Sequence, residues 1–274
     1  MNKVALITGA ARRKGLGQAI ATRLASDGYD ILLHDRGAIE GDIAPAHGVG
    51  VNHDLDTTAQ KIRAATGQKV ETVTGDLLDD TEIASIVAAA DAHFGRLDIL
   101  VNNAGVGYLF GSLTETDPAH LDAVLGVNLR APMLLTGQAA NMMIRGGIGG
   151  RVVNIASQAS KSGFAFASAY TASKHGLLGF TRSAALELGK HGITVNAVCP
   201  NHVTTGLGTW QNEYMSKARG ETLEEYMAGM RARIPLGRTG LPEDTASAVA
   251  FLCSEQASYV TGEAMNVSGG EEYH

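Results

Sequence analysis

Val4-Ala5-Leu6-Ile7-Thr8-Gly9-Ala10-Ala11-Arg12-Arg13-Lys14-Gly15-Leu16-Gly17-Gln18-Ala19-Ile20 runs from a short apolar stretch through a glycine-punctuated turn into helix-forming residues. Four apolar residues ending in Thr8-Gly9 are too few for the core of a secretion signal, so the stretch reads as a first buried strand. Glycines after such a strand allow a tight turn. They also let an anion approach the backbone N–H groups at the start of the following helix, where the helix dipole favours negative charge. Gly9, Arg12, Lys14, Gly15, Leu16 and Gly17 are therefore candidate phosphate contacts. The alternative is a glycine-rich strand-to-helix turn with no ligand.

Further apolar runs follow at Ile31 to Leu33, Val70 to Val73, Leu97 to Val101, Arg151 to Ile155, Thr194 to Val198 and Ala264 to Val267, each bounded by Gly, Asp or Asn. Helix-period segments lie between them at Leu16 to Ser26, Thr81 to Phe94, Ala119 to Met143, Ala169 to Leu188 and Pro242 to Ser254. Seven short strands alternating with helices predict a doubly wound parallel α/β sheet with helices on both faces. The length of 274 residues fits one domain over the whole chain. Gly37 to His53 and Gly206 to Arg233 interrupt the rhythm after strand carboxyl ends, where such sheets bind ligands. The stretch 206–233 is read as a substrate lid.

The chain is 45% hydrophobic and 18% charged with a net charge of −6, which marks an ordinary globular protein and disfavours binding to nucleic acid or anionic membranes. No run approaches the ~18 apolar residues of a membrane span. Two cysteines, Cys199 and Cys253, give neither a disulfide framework nor metal-site spacing, so a cytoplasmic location is expected. The nine histidines are scattered without ligand spacing, and no catalytic metal is expected.

The second strand ends His34-Asp35-Arg36, with Asp35 eighteen residues beyond Gly17. A carboxylate there accepts hydrogen bonds from the ribose hydroxyls of a dinucleotide and repels a 2′-phosphate, which points to NAD. Lys14 and Arg36 are the opposing signal, because either basic group suits the phosphate of NADP. Asp35, with Glu40 and Asp42 close behind, weighs the balance toward NAD.

Tyr170-Thr171-Ala172-Ser173-Lys174 opens the helical segment that runs to Leu188. Positions four apart share a helix face, so phenol and ammonium converge. A phenol of pKa about 10 becomes a usable base only when a neighbouring cation favours its anion. Three more features occur in order: Asn102-Asn103-Ala104-Gly105 after the fourth strand, Asn128 in the next helix, and Ser157 closing the fifth strand, thirteen residues before Tyr170.

With the glycine turn, this set resembles the short-chain dehydrogenase/reductase family from end to end, and the resemblance implies a Rossmann fold. It implies Tyr170 as general acid/base, Ser157 orienting the substrate oxygen, Lys174 holding the nicotinamide ribose and lowering the tyrosine pKa, and Asn128 anchoring a water that leads outward. Hydride would move between substrate carbon and nicotinamide. Asp76 and Leu77 would meet adenine, Asn103, Ala104 and Gly105 would line the adenosine, and Pro200, Val203 and Thr205 would fix the carboxamide. A homotetramer is the family expectation.

Two departures stand out. Five residues separate Gly9 from Gly15 where the family's common form has three, and Asn201-His202 follow Cys199-Pro200 where a glycine is usual. Asn201 reads either as a substrate contact or as a turn asparagine with positive φ. Gln158 and Trp210 are further substrate candidates. Their polarity suits a small polyol, although a solvated lid that never meets substrate fits the same pattern. The length of the lid resembles the sugar-alcohol and vicinal-diol members. Alternatives are an NADPH-dependent 3-oxoacyl thioester reductase and a non-catalytic dinucleotide sensor; the complete serine, tyrosine, lysine and asparagine set argues against the sensor.

Overall fold

Seven parallel strands form one sheet in the order β3-β2-β1-β4-β5-β6-β7 in the computed structural model of the chain, which describes residues 2–37, 52–107 and 111–273. The strands are β1 (Val4–Thr8), β2 (Asp30–Asp35), β3 (Val70–Thr74), β4 (Ile99–Asn102), β5 (Gly150–Ile155), β6 (Ile193–Pro200) and β7 (Ala264–Val267). Successive side chains of a strand point to opposite faces. Ala5 and Ile7 therefore join Ile31 and Leu33 on one face, and Val4 and Leu6 join Leu32 and Leu100 on the other.

The first face is covered by α1 (Leu16–Ser26), α2 (Asn52–Thr66) and α9 (Pro242–Cys253), through Ile20, Leu24, Leu55, Ile62, Val249 and Leu252. The second is covered by α3 (Asp80–Phe94), α5 (Ala131–Gly146) and α6 (Ser168–Leu188), through Ile83, Ile86, Leu135, Met143 and Ala184. Each fully buried leucine or isoleucine contributes about 1.5–3 kcal/mol. Two-sided burial explains why the strands read as unbroken apolar runs.

The expected alternation is observed, with three differences. Residues 52–66 form α2, which the sequence reading left out because most of its face is polar; its buried Leu55, Ala59 and Ile62 keep helical spacing. The segment read as one helix over Ala119 to Met143 is instead α4 (Pro118–Leu125), a π-helical turn at Gly126–Arg130 and then α5. The Ala131 N–H donates to the Gly126 carbonyl, five residues back, which inserts one extra residue into the turn.

Residues 206–233 are two helices, α7 (Gly206–Arg219) and α8 (Leu223–Arg233), not an irregular excursion. α8 starts at a capping box in which Thr222 and Glu225 satisfy each other's backbone N–H groups. Most of the excursion after β2, with Glu40 and Asp42, lies outside the described residues. Among the described residues no helix is long and apolar enough to cross a membrane.

Candidate active site at the carboxyl edge of the sheet

β1 leads to β2 on one side and lies beside β4 on the other, so the connections diverge at the carboxyl ends of β1 and β4 and leave a crevice. Thr8 ties its two walls together. Its hydroxyl accepts the Asn103 and Ala104 N–H groups, each at 3.0 Å, and the Asn103 side chain donates to the carbonyls of Thr8 at 2.8 Å and Gly9 at 3.0 Å. A Cβ on Gly9 would stand 2.8 Å from Ala104 Cα, and one on Gly17 2.4 Å from the Gly9 carbonyl oxygen. Both positions demand glycine. Asn103 thus spends its NH2 group on the wall, which leaves the carbonyl end of its amide for a ligand.

The two extra residues of the turn are absorbed at Arg12 to Gly15, where the Gly15 N–H donates to the Arg12 carbonyl at 3.1 Å and Lys14 takes φ +54°. The Lys14 N–H donates to Gln18 Oε1, and the Lys14 side chain is exposed. α1 begins at Gly15 without a side-chain cap and without an acid in its first turn. Its first N–H groups and the space left by the missing Cβ atoms fit a phosphate diester.

Asp35 Oδ2 accepts the Ala11 N–H at 2.8 Å and Oδ1 accepts its neighbour's at 2.9 Å, which fixes the carboxylate at the mouth of the turn. Two bonds leave a carboxylate with acceptor capacity for ribose hydroxyls. The Arg36 guanidinium is paired with Asp76 at 2.9 Å, so the basic group that suited a 2′-phosphate already has a carboxylate. Asp76 does not cap α3, a task taken by Asp79; its other oxygen accepts the Leu78 N–H. The Leu77 side chain is buried in the core, leaving only its main chain for any contact.

Ser157 stands two residues beyond β5 as the cap of a short turn, its hydroxyl accepting the Ala159 N–H at 3.1 Å. The Tyr170 hydroxyl lies close enough to Ser157 to be influenced by it, and Gly107 makes room for the tyrosine ring, which a Cβ there would meet at 3.0 Å. Lys174 is buried, its Nζ 5.7 Å from the Tyr170 ring centre and donating to the Ile155 carbonyl at 2.8 Å. Burial raises the tyrosine pKa, partly offset by the Ser157 hydroxyl, and lowers the lysine to about 8.

Asn128 sits in the π-helical turn and is buried. Its side chain accepts the Val106 N–H at 2.8 Å, donates to the Val106 carbonyl at 2.7 Å and donates to the Ser173 hydroxyl at 3.1 Å. Gly176 lets Leu129 pack against α6, since a Cβ there would lie 2.9 Å from Leu129 Cδ2. The four polar residues Ser157, Tyr170, Lys174 and Asn128 therefore converge, delivered by three local devices: the turn after β5, one face of α6 and the π-helical turn. Among the described residues no group of metal-ligating side chains forms a candidate centre.

Pro200 pairs with Val267, Val203 bridges to Gly240, and the Thr205 hydroxyl caps α7. Of the two readings of Asn201, the turn asparagine with positive φ is not what forms: the positive φ falls on His202, at +41°. Asn201 and Gln158 donate to Glu271 and Glu272, two acids following β7 that the sequence reading missed. The Trp210 side chain lies outside the described residues. Thr8, Gly107 and Ser173 were also missed, although Ser173 stands in plain view inside the Tyr170-to-Lys174 motif.

The family model described as Enoyl-(Acyl carrier protein) reductase matches residues 9–272. A putative ketoacyl reductase of Streptomyces coelicolor is 39% identical, covering 98% of this chain and 97% of its own. Galactitol 2-dehydrogenase of Agrobacterium fabrum is 35% identical with coverage of 98% and 97%. L-2,3-butanediol dehydrogenase of Corynebacterium glutamicum is 35% identical with coverage of 100% and 100%.

Among solved structures, an actinorhodin polyketide ketoreductase variant with NADPH superposes at TM-score 0.89 and 36% identity, covering 100% of this chain and 98% of its own. Carveol dehydrogenase of Mycobacterium avium with NAD superposes at 0.88 and 31%, covering 98% and 97%. The chain belongs to the short-chain dehydrogenase/reductase family. It is an NAD(P)-dependent oxidoreductase acting on alcohol and carbonyl groups.

Gly17→Ala is expected to weaken nicotinamide-cofactor binding by about a hundredfold, because relieving its contact with the Gly9 carbonyl displaces the cradle, at a cost of about 1–3 kcal/mol in stability. Cofactor fluorescence titration and urea unfolding read the two effects. For Lys174, the lowered pKa means the unfolded chain binds more protons between pH 8 and 10.5, so stability rises with pH across that window. Below it the ammonium is charged in both states and a desolvation cost of about 3 kcal/mol is fully present. Cofactor-free Lys174→Met should therefore unfold at higher urea at pH 7, by roughly 1–2 kcal/mol after the lost Ile155 bond is counted. The gain should shrink toward pH 10.

Proposed function

We propose that this chain is an NAD-dependent dehydrogenase of small polyhydroxylated secondary alcohols. The observation that carries the substrate class is the polar rim beside Ser157, where Gln158 and Asn201 are held by Glu272 and Glu271. A long acyl chain would gain little from such a surface, whereas hydroxyl groups find matched partners on it. The similarity to proteins described as galactitol and butanediol dehydrogenases supports the same class. NAD is favoured over NADP because Asp35 is fixed at the mouth of the glycine turn and Arg36 is already paired with Asp76.

When bound, the nicotinamide cofactor supplies the hydride acceptor for oxidation and the donor for reduction. Tyr170 takes the proton from the substrate hydroxyl as its carbon loses hydride, and Ser157 holds the substrate oxygen. Lys174 keeps a positive charge beside the phenol, favouring its anion. Asn128 fixes the Val106 loop against α6, which keeps that charge in place. Oxidation needs the phenolate, so its rate should rise with pH through the tyrosine's working pKa.

The second reading is NADPH-dependent reduction of a 3-oxoacyl thioester, favoured by the exposed Lys14 and by the likeness to the actinorhodin ketoreductase. Titration with NADH and NADPH, followed by assays on galactitol, butane-2,3-diol and an acetoacetyl thioester, separates the two. The expected result is tighter NADH binding and NAD-linked diol oxidation. Tyr170→Phe should lower kcat by about 10²–10⁴ while leaving NADH affinity within twofold. An active phenylalanine variant would remove the tyrosine from the mechanism.

A further inference from the structure

The segment after β7 folds back as a tight turn. Gly269 and Gly270 take φ +65° and +94°, and a Cβ on Gly269 would stand 2.6 Å from Ile234 at the end of α8. The Leu236 N–H donates to the Gly269 carbonyl at 3.1 Å, and the Ser268 hydroxyl bonds both the Glu272 carbonyl and the Glu272 N–H. This turn delivers two carboxylates to the carboxyl edge of the sheet. Glu271 accepts from Asn201 Nδ2 at 2.7 Å, from Arg233 Nε of α8 at 3.2 Å, and lies 3.3 Å from His202 Nε2. Glu272 accepts from Gln158 Nε2.

A carboxylate can only accept hydrogen bonds, whereas a carboxamide has a donating end and an accepting end. Pairing with a carboxylate therefore fixes which way each amide points. Gln158 and Asn201 spend their NH2 groups on Glu272 and Glu271 and turn their carbonyl oxygens the other way. Among the described residues neither oxygen has a partner within the chain, and neither is sealed from the surface. Gln158 adjoins Ser157, and Asn201 directly follows the neighbouring strand β6, so both residues sit at the substrate end of the site.

We propose that Glu271 and Glu272 are positioning residues that lock Gln158 and Asn201 with their acceptor ends free, so the site selects a substrate carrying a hydroxyl donor next to its reacting carbinol. This rests on the alcohol-oxidising reading above and narrows it to vicinal diols and polyols. A site whose acceptors are aimed at a hydroxyl discriminates against the analogue lacking it, because bound analogue covers those acceptors without giving them a donor. Replacing a carboxylate by an amide frees the flip, since an amide partner both donates and accepts.

The test compares kcat/KM for butane-2,3-diol and butan-2-ol in the wild type, Glu271→Gln, Glu272→Gln and Gln158→Met. The wild type should prefer the diol, and the diol-to-monoalcohol ratio should fall at least tenfold in each variant through KM for the diol more than through kcat. NADH affinity, measured by titration, should stay within twofold. Gln158→Met leaves the carboxylates and Arg233 in place, so it decides the matter if an acid variant fails to fold. Diol oxidation with an unchanged ratio in the folded variants, or a parallel loss on both alcohols, overturns the inference alone. Turnover of an acetoacetyl thioester with neither alcohol, or of none of the three, overturns the polyol reading and this inference together.

Discussion

The cross-tie between Thr8 and Asn103 is the constraint on which the rest of the site depends. Two loops leaving adjacent parallel strands would otherwise close on each other and fill the crevice. Here one hydroxyl and one amide hold them at a fixed spacing, with four hydrogen bonds of 2.8 to 3.0 Å. Glycine at positions 9 and 17 is a consequence of that spacing, because the backbones approach too closely for any side chain. The same spacing leaves the start of α1 uncapped within the crevice, so anion affinity is a property of the main chain.

The charged centre of the site is held at an energetic cost. Burying the Lys174 ammonium disfavours its charge, and in the proposed mechanism that charge is what favours the neighbouring phenolate. Its hydrogen bond to the Ile155 carbonyl offsets part of that cost. The remainder is met by the sheet and helices, whose two apolar faces are densely packed with leucine, isoleucine and valine. Stability is concentrated in the layers and strain at their carboxyl edge, as the positive φ angles of Lys14 and His202 also attest.

What was legible in the sequence was whatever rests on periodicity and on short-range spacing. Apolar runs between helical patterns predicted the sheet, and Tyr170 with Lys174 predicted their shared helix face. α2 escaped because only Leu55, Ala59 and Ile62 are needed to seat it, and a polar helix carries little signal. α7 and α8 escaped because 206–233 reads as a lid interrupting the strand-helix alternation, with no elements assigned inside it despite the Thr222 and Glu225 capping pair. Glu271 and Glu272 could not be placed from sequence. Their partners come from residues 158, 201, 202 and 233, far away along the chain, and only the fold brings them together.

The π-helical turn at Gly126–Arg130 gives α4 and α5 a built-in phase offset. One added residue turns everything beyond it by about 100° relative to an unbroken helix. α4 can thus face α6 while α5 faces the sheet, from a single continuous rod. Gly126, whose Cβ would lie 2.4 Å from Leu78, is pinned in the middle of it. The tally of residues across this stretch is accordingly fixed to the unit: an insertion or deletion there would rotate Asn128 out of the interior, whereas the same change in an exposed loop would pass unnoticed.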